Sequence, residues 1–187
     1  MPSPYTMNSP EQERRDVILR LSKAVDLLVV SMDKRFIPSS GGNIAYAIRG
    51  ARTMLDVAAV PGGIILEYGR CHPSGPGAFG TAEEISRIVL TVMKFDPAMR
   101  SAAVIRYSKE ALDLLEDIAL GCCGIDRTKA PPGISTMDWG IASCCSDGVP
   151  EVIYDCGTQR SEGLICLIGE DVARVADNII ILSHRIQ

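Results

Sequence analysis

Apolar residues recur at helical spacing at Val17, Leu21, Ala24, Leu28 and Met32, behind the segment Ser9-Pro10-Glu11-Gln12. That segment reads as a helix start. Ser caps first-turn amides, Pro at the first helical position has no amide to leave unpaired, and Gln stands three residues past the cap. One amphipathic helix to about Met32 is expected. The period then changes. Residues 44–48 read as a short strand, 54–58 as a short helix or turn, and 64–68, rich in branched side chains, as a strand entered from the break at Pro61-Gly62-Gly63. Residues 75–80 read as a flexible, backbone-exposing loop. Thr81-Ala82-Glu83-Glu84 has capping-box spacing and opens a helix that turns Ile85, Ile88, Val89, Val92 and Met93 inward.

The second half repeats the alternation. Residues 102–106 read as a strand, Ser108 as the cap of a helix through Leu112, Leu115 and Ile118, and 120–125 as another strand. A Pro-rich loop at 130–133 precedes a short helix over 137–142. Residues 152–154 and 164–168 read as buried strands, and 170–183 as a closing helix with Val172, Val175, Ala176 and Ile179 on one face. Strands alternating with helices imply α/β layers. With no internal repeat or linker, residues 9–187 form a single domain behind a loose, Pro-rich tail at 1–8.

At 47% hydrophobic and 22% charged residues, the chain suits a globular domain with a substantial core. Lys and Arg number 19 against 23 Asp and Glu, a formal charge of −4, and no basic cluster compensates locally. Phosphate-backbone binding needs such a cluster, so nucleic acid is excluded as a main partner. A helix-turn-helix has no room before the core. The N-terminus lacks a basic, then apolar leader, and no apolar run approaches the roughly 18 residues of a membrane span, so a cytoplasmic, membrane-free protein is expected. The seven cysteines include no C-x-x-C pair, and the adjacent pairs Cys122–Cys123 and Cys144–Cys145 converge poorly on one zinc. They are expected to be reduced, metal-free and mostly small core hydrophobes.

Candidate chemistry sits at the ends of elements. The 75–80 loop feeds a helix N-terminus, a general anion site. Glu83 and Glu84 in its first turn already satisfy the dipole, which favours a plain turn. Ile105-Arg106-Tyr107, Asp126-Arg127, Ser135-Thr136 beside Trp139, and Tyr154-Asp155 each read alone as a cap, a turn or an ion pair. Together they sit where open α/β sheets collect ligands, and they suggest a pocket for a small polar, phosphorylated molecule.

The same residues fall in blocks. Gly42-Asn43, Asp56-Val57-Ala58, Pro61-Gly62, Phe79-Gly80, Ile105-Arg106-Tyr107, Asp126-Arg127, Ser135-Thr136-Met137-x-Trp139-Gly140 and Ile153-Tyr154-Asp155-x-Gly157 occur in order. Over about residues 12–185 the chain resembles the ThiN-type thiamin-phosphate synthase domain of archaea. The resemblance implies a single three-layer α/β/α domain with a mixed central sheet, forming a homodimer. It also implies a reaction joining hydroxymethylpyrimidine diphosphate to hydroxyethylthiazole phosphate with release of pyrophosphate. It carries Asn43, Gly80, Thr81, Arg106, Asp126, Arg127, Ser135, Thr136 and Asp155 over as ligand-binding residues. No metal site or cofactor is expected, apart from Mg²⁺ that would accompany a diphosphate substrate.

The family's catalytic Arg and His positions are occupied here by Gly63 and Glu84. Its Asn before Ile-Arg-Tyr is Val104, and a late Lys is Ser161, with Arg160 adjacent and Arg70 a second candidate to replace a lost cation. Each change makes the pocket a poorer host for a diphosphate. The expectation is a domain that binds thiamin phosphate or a related phosphorylated precursor with weak or no catalysis. An active synthase, and a structural or partner-binding relative without a small-molecule ligand, are the alternatives.

Overall fold

In the computed structural model, which describes residues 9–118 and 120–187, the first helix begins where its cap signal lies. Ser9 accepts a hydrogen bond from the Gln12 amide at 3.2 Å, and Pro10 opens α1 (Pro10–Ser31). The remaining elements are β1 (Asn43–Ala47), β2 (Val57–Ala59), β3 (Ile64–Glu67), β4 (Arg70–Pro73), β5 (Ala78–Phe79), α2 (Glu83–Phe95), β6 (Ser101–Arg106), α3 (Lys109–Asp117), β7 (Cys122–Gly124), α4 (Thr136–Cys145), β8 (Val152–Asp155), β9 (Leu164–Gly169) and α5 (Val172–Arg185). The expected tail at residues 1–8 lies outside the described residues.

Seven strands form one sheet in the order β5-β2-β1-β6-β9-β8-β7. Every pairing is antiparallel except the parallel edge pair β7–β8, so the sheet is mixed. Period-2 alternation makes it the middle of three layers. Ile44 and Tyr46 of β1, Ala103 and Ile105 of β6, and Ile165 and Leu167 of β9 pack with α1, α3 and α5. Ala45 and Ala47, Ala102, and Cys166 and Ile168 pack with α2 and α4. Both faces are covered, which is why the central strands read as near-continuous apolar runs.

Four expectations are corrected. First, β2 emerges at 57–59, where the helix-or-turn segment gives way after a single 3₁₀ turn at 54–56. Second, the strand at 64–67 leaves the main sheet and pairs with β4 in a separate hairpin beside α1; part of the 75–80 loop joins the sheet instead as β5. Third, the capping box at Thr81 does not form. The cap is Ala82, because Thr81 Oγ1 donates to the Ala78 carbonyl at 3.1 Å.

Fourth, Cys123 and Cys144 form a disulfide, with Cα atoms 5.9 Å apart. Short-range spacing could not reveal it. The pairing needs α4 to fold back onto β7, which brings together residues 21 positions apart. Cys71, Cys122, Cys145, Cys156 and Cys166 are free thiols. Burial pushes Cys166 up to about 12 and Cys122 up to about 11, and raises Cys71 and Cys145 as well, which disfavours the reactive thiolate at all four. Among the described residues no group of three or more His, Cys, Asp or Glu is placed to hold a metal, and no helix is long and apolar enough to cross a membrane.

Candidate functional site

Antiparallel pairing brings the N-terminal ends of β1 and β9 to the C-terminal end of β6, and β8 ends beside them. Asn43 pairs with Val104, and Leu164 pairs with both Arg106 and Asp155. Since Ile44, Ile105, Tyr154 and Ile165 face the α1 layer, these five residues lie on the α2–α4 side. A cavity of about 500 Å³ opens there. The sheet supplies Asn43, Val104 and Leu164; the start of α2 supplies Thr81, Ala82, Glu83, Glu84, Ile85, Arg87 and Ile88. The start of α4 supplies Ser135, Met137 and Asp138, and two turns supply Ser40, Gly41, Gly42, Gly62 and Gly63. Two helix N-termini therefore converge on one hollow, each presenting first-turn amides with no intrahelical partner.

The wall charges oppose that dipole. Arg87 bridges Glu83 at 3.5 Å and Asp138 at 3.2 Å, joining the two helix starts. Glu84 has no hydrogen bond or ion pair among the described residues, so the lining carries three carboxylates against one guanidinium. The nearby cations are also paired. Arg127 clamps Asp155 through two hydrogen bonds of 2.8 and 2.5 Å, and Gly157 N–H completes the shell of this buried carboxylate at 2.9 Å. Arg106 Nε donates to Glu162 at 2.8 Å.

Of the ligand-binding residues read from the sequence, Asn43, Thr81 and Ser135 line the cavity. Asn43 Oδ1 accepts from the Ile44 and Val60 amides and Nδ2 donates to the Val60 carbonyl, so this amide braces β1 against the β2 exit. Gly80 and Thr136 adjoin lining residues without lining it. Arg106, Arg127 and Asp155 do not line it; Arg106 and Asp155 sit at strand ends on either side of Leu164, on the same face, and Arg127 joins them through Asp155. Asp126 instead caps its own turn by accepting from the Thr128 amide and hydroxyl. Neither Arg70, on the hairpin, nor Arg160 lines the cavity. Ser39, Arg87, Asp138 and Glu162 escaped the sequence reading. Only the Glu83–Arg87 spacing, four residues apart on a helix, carried a local signal.

Gly63 departs most from what the resemblance implies. Its φ is +77°, and a Cβ there would stand 2.4 Å from the Gly42 carbonyl oxygen. That oxygen is fixed, accepting from the Ile64 amide at 2.7 Å. A side chain at this position therefore meets both a strained backbone conformation and a fixed neighbour.

The profile of the family thiamine-phosphate synthase ThiN matches residues 20–181. The chain belongs to the ThiN family. It is 34% identical over 182 residues to the bifunctional thiamine biosynthesis protein ThiDN of Methanocaldococcus jannaschii, covering 96% of this chain and 43% of that protein. It thus spans less than half of that relative's length. Over 148 residues it is 28% identical to the thiamine-phosphate synthase ThiN of Methanothermobacter thermautotrophicus, covering 75% of this chain and 78% of the relative. The crystal structure of a C-terminal domain of phosphomethylpyrimidine kinase superposes with a TM-score of 0.84 at 30% identity, over 91% of this chain and 100% of that one. The ThiN resemblance and the α/β fold with a mixed sheet stand as expected.

A second hollow of about 380 Å³ lies at the opposite ends of the central strands β1 and β6, around Glu13, Asp16, Arg20, Tyr46, Arg49 and Arg100. There Arg100 donates to the Tyr46 hydroxyl at 2.7 Å and the Ala47 carbonyl at 3.1 Å, and Arg20 pairs with Asp171. The first two bonds brace the end of β1 and the last joins α1 to the start of α5, a structural use of these two cations.

Proposed function

We propose that this ThiN domain binds thiamin phosphate or a related phosphorylated precursor and turns over little or not at all. A cavity of about 500 Å³ with two helix N-termini on its walls suits one small ligand carrying a phosphate. Catalysis asks for more. As the thiazole nitrogen attacks the pyrimidine methylene carbon, charge develops on the departing pyrophosphate, and fixed donors or cations must meet it. Losing one such contact costs about 2.7–4 kcal/mol, a hundredfold to a thousandfold in rate. The observation that carries the reading is Gly63, whose positive φ and 2.4 Å approach to the Gly42 oxygen leave no side chain where the family places its Arg. Glu84 adds an unpaired carboxylate to the wall where the family places a His.

Calorimetry with thiamin phosphate tests binding, and a synthase assay on the same preparation tests turnover. Saturable 1:1 binding with negligible turnover is expected. Turnover at ordinary enzyme rates would favour an active synthase in which other residues meet the pyrophosphate. No binding of any thiamin precursor would favour a structural or partner-binding domain.

A further inference from the structure

We infer that Glu162 is a positioning residue that builds a phosphate subsite at the cavity rim by holding Arg106 and Ser39 together. The inference deepens the reading above and rests on it, since it takes the ligand to carry a phosphate. Glu162 belongs to the turn between β8 and β9, 56 residues from Arg106 and 123 from Ser39. Its Oε1 accepts from Arg106 Nε at 2.8 Å and from the Ser39 amide at 3.2 Å. Its Oε2 accepts from the Ser39 hydroxyl at 2.5 Å and from the same amide at 3.3 Å.

The contact engages only the Nε edge of the guanidinium. Neither Nη nitrogen of Arg106 has a protein acceptor among the described residues. An arginine anchored at Nε keeps a planar pair of donors suited to two oxygens of one phosphate. Arg106, Ser39 and Glu162 do not line the cavity but adjoin residues that do. Arg106 follows Val104 on the same face of β6 and pairs with Leu164, while Ser39 precedes Ser40; Val104, Leu164 and Ser40 all line the hollow.

The pair is poorly suited to a purely stabilising role. The side chains of Arg106 and Glu162 are 41% and 32% exposed, and ion pairs so accessible to water contribute little to folding. Fixing a long, flexible guanidinium before the ligand arrives does help binding, because that ordering is then already complete. The opposite role makes the opposite prediction. If Glu162 acted as a built-in anion occupying the site, its removal would strengthen phosphate binding.

The 187-residue chain is titrated with thiamin phosphate by calorimetry, with inorganic phosphate as competitor, for wild type, Glu162→Ala, Glu162→Gln, Arg106→Ala and the double alanine variant. Glu162→Ala is expected to weaken both ligands about tenfold, as loss of a supporting contact does at other sites, with little change in melting temperature. Glu162→Gln retains acceptor oxygen for Ser39 or Arg106 and is expected to recover most of the loss. The double variant is expected to bind no more weakly than Arg106→Ala. Unchanged or tighter binding by Glu162→Ala, in a protein whose wild type binds, overturns the subsite alone. A wild type that binds neither ligand overturns the functional reading and the subsite together.

Discussion

Replacing Gly63 by Ala probes the position at which the resemblance implies an Arg. The substitution adds one methyl group and two penalties. An L-residue in the left-handed region, at φ +77°, costs about 1–2 kcal/mol. A Cβ 2.4 Å from a carbonyl oxygen is far inside contact distance, and forcing the structure to accommodate it adds about 1–3 kcal/mol. The neighbour cannot simply swing away, because the Gly42 oxygen and amide are both bonded to Ile64, at 2.7 and 2.8 Å. The total is about 2–5 kcal/mol, which for a domain of this size lowers the melting temperature by about 5–15 °C. Gly50 is the control, with φ +66° and nothing within 4 Å of an added Cβ, so Gly50→Ala should show the backbone penalty alone. Calorimetric melts and urea titrations of both variants measure the difference. Equal losses would mean that the turn yields freely and that position 63 can host a side chain, which removes the main structural argument against catalysis.

Reducing the Cys123–Cys144 bridge, or replacing both residues by Ser, should lower stability by about 3 kcal/mol, from loop-closure entropy over 21 residues, in melts with and without dithiothreitol. Arg127→Ala should cost about 3 kcal/mol in urea titration, since it strips the ion-pair partner from buried Asp155 and leaves only the Gly157 amide. Glu84→Gln should strengthen thiamin phosphate binding several-fold by calorimetry, because an unpaired like charge leaves the wall. Acid should destabilise the fold through named groups. Hydrogen bonds from Arg35 hold the Asp33 carboxyl, and from the Arg52 amide the Asp56 carboxyl, below their ordinary value of 3.8. Folded values under unfolded ones mean stabilisation that is complete above about pH 5 and is lost as pH falls through the carboxylate range. Urea midpoints measured from pH 7 to pH 3 should therefore decline mainly below pH 5.

Where local physics decided the structure, the sequence was legible. The cap of α1 rests on Ser9 and Pro10, β1 announces itself by its alternation, and β6, β8 and β9 by their apolar runs. Elements set by distant partners were not legible. β5 is two residues long and exists because β2 offers an edge. The capping box at Thr81 failed for a local reason, because its hydroxyl donates to the Ala78 carbonyl three residues back. The disulfide depends on how α4 lies over β7. At the site, strand-end residues such as Arg106 and Asp155 could be singled out by position. Their pairing with Glu162 and Arg127 could not, because those contacts join separate loops and leave no periodic trace.

The steady-state synthase assay of the wild-type protein bears most directly on the central claim. Hydroxymethylpyrimidine diphosphate and hydroxyethylthiazole phosphate are supplied at saturation with Mg²⁺, and pyrophosphate release is followed continuously. Turnover at least a hundredfold below about 1 s⁻¹, in protein that binds thiamin phosphate by calorimetry, is the predicted result. Turnover on the order of 1 s⁻¹ would contradict it, and would show that the chemistry proceeds without a guanidinium at position 63 and with a carboxylate at position 84.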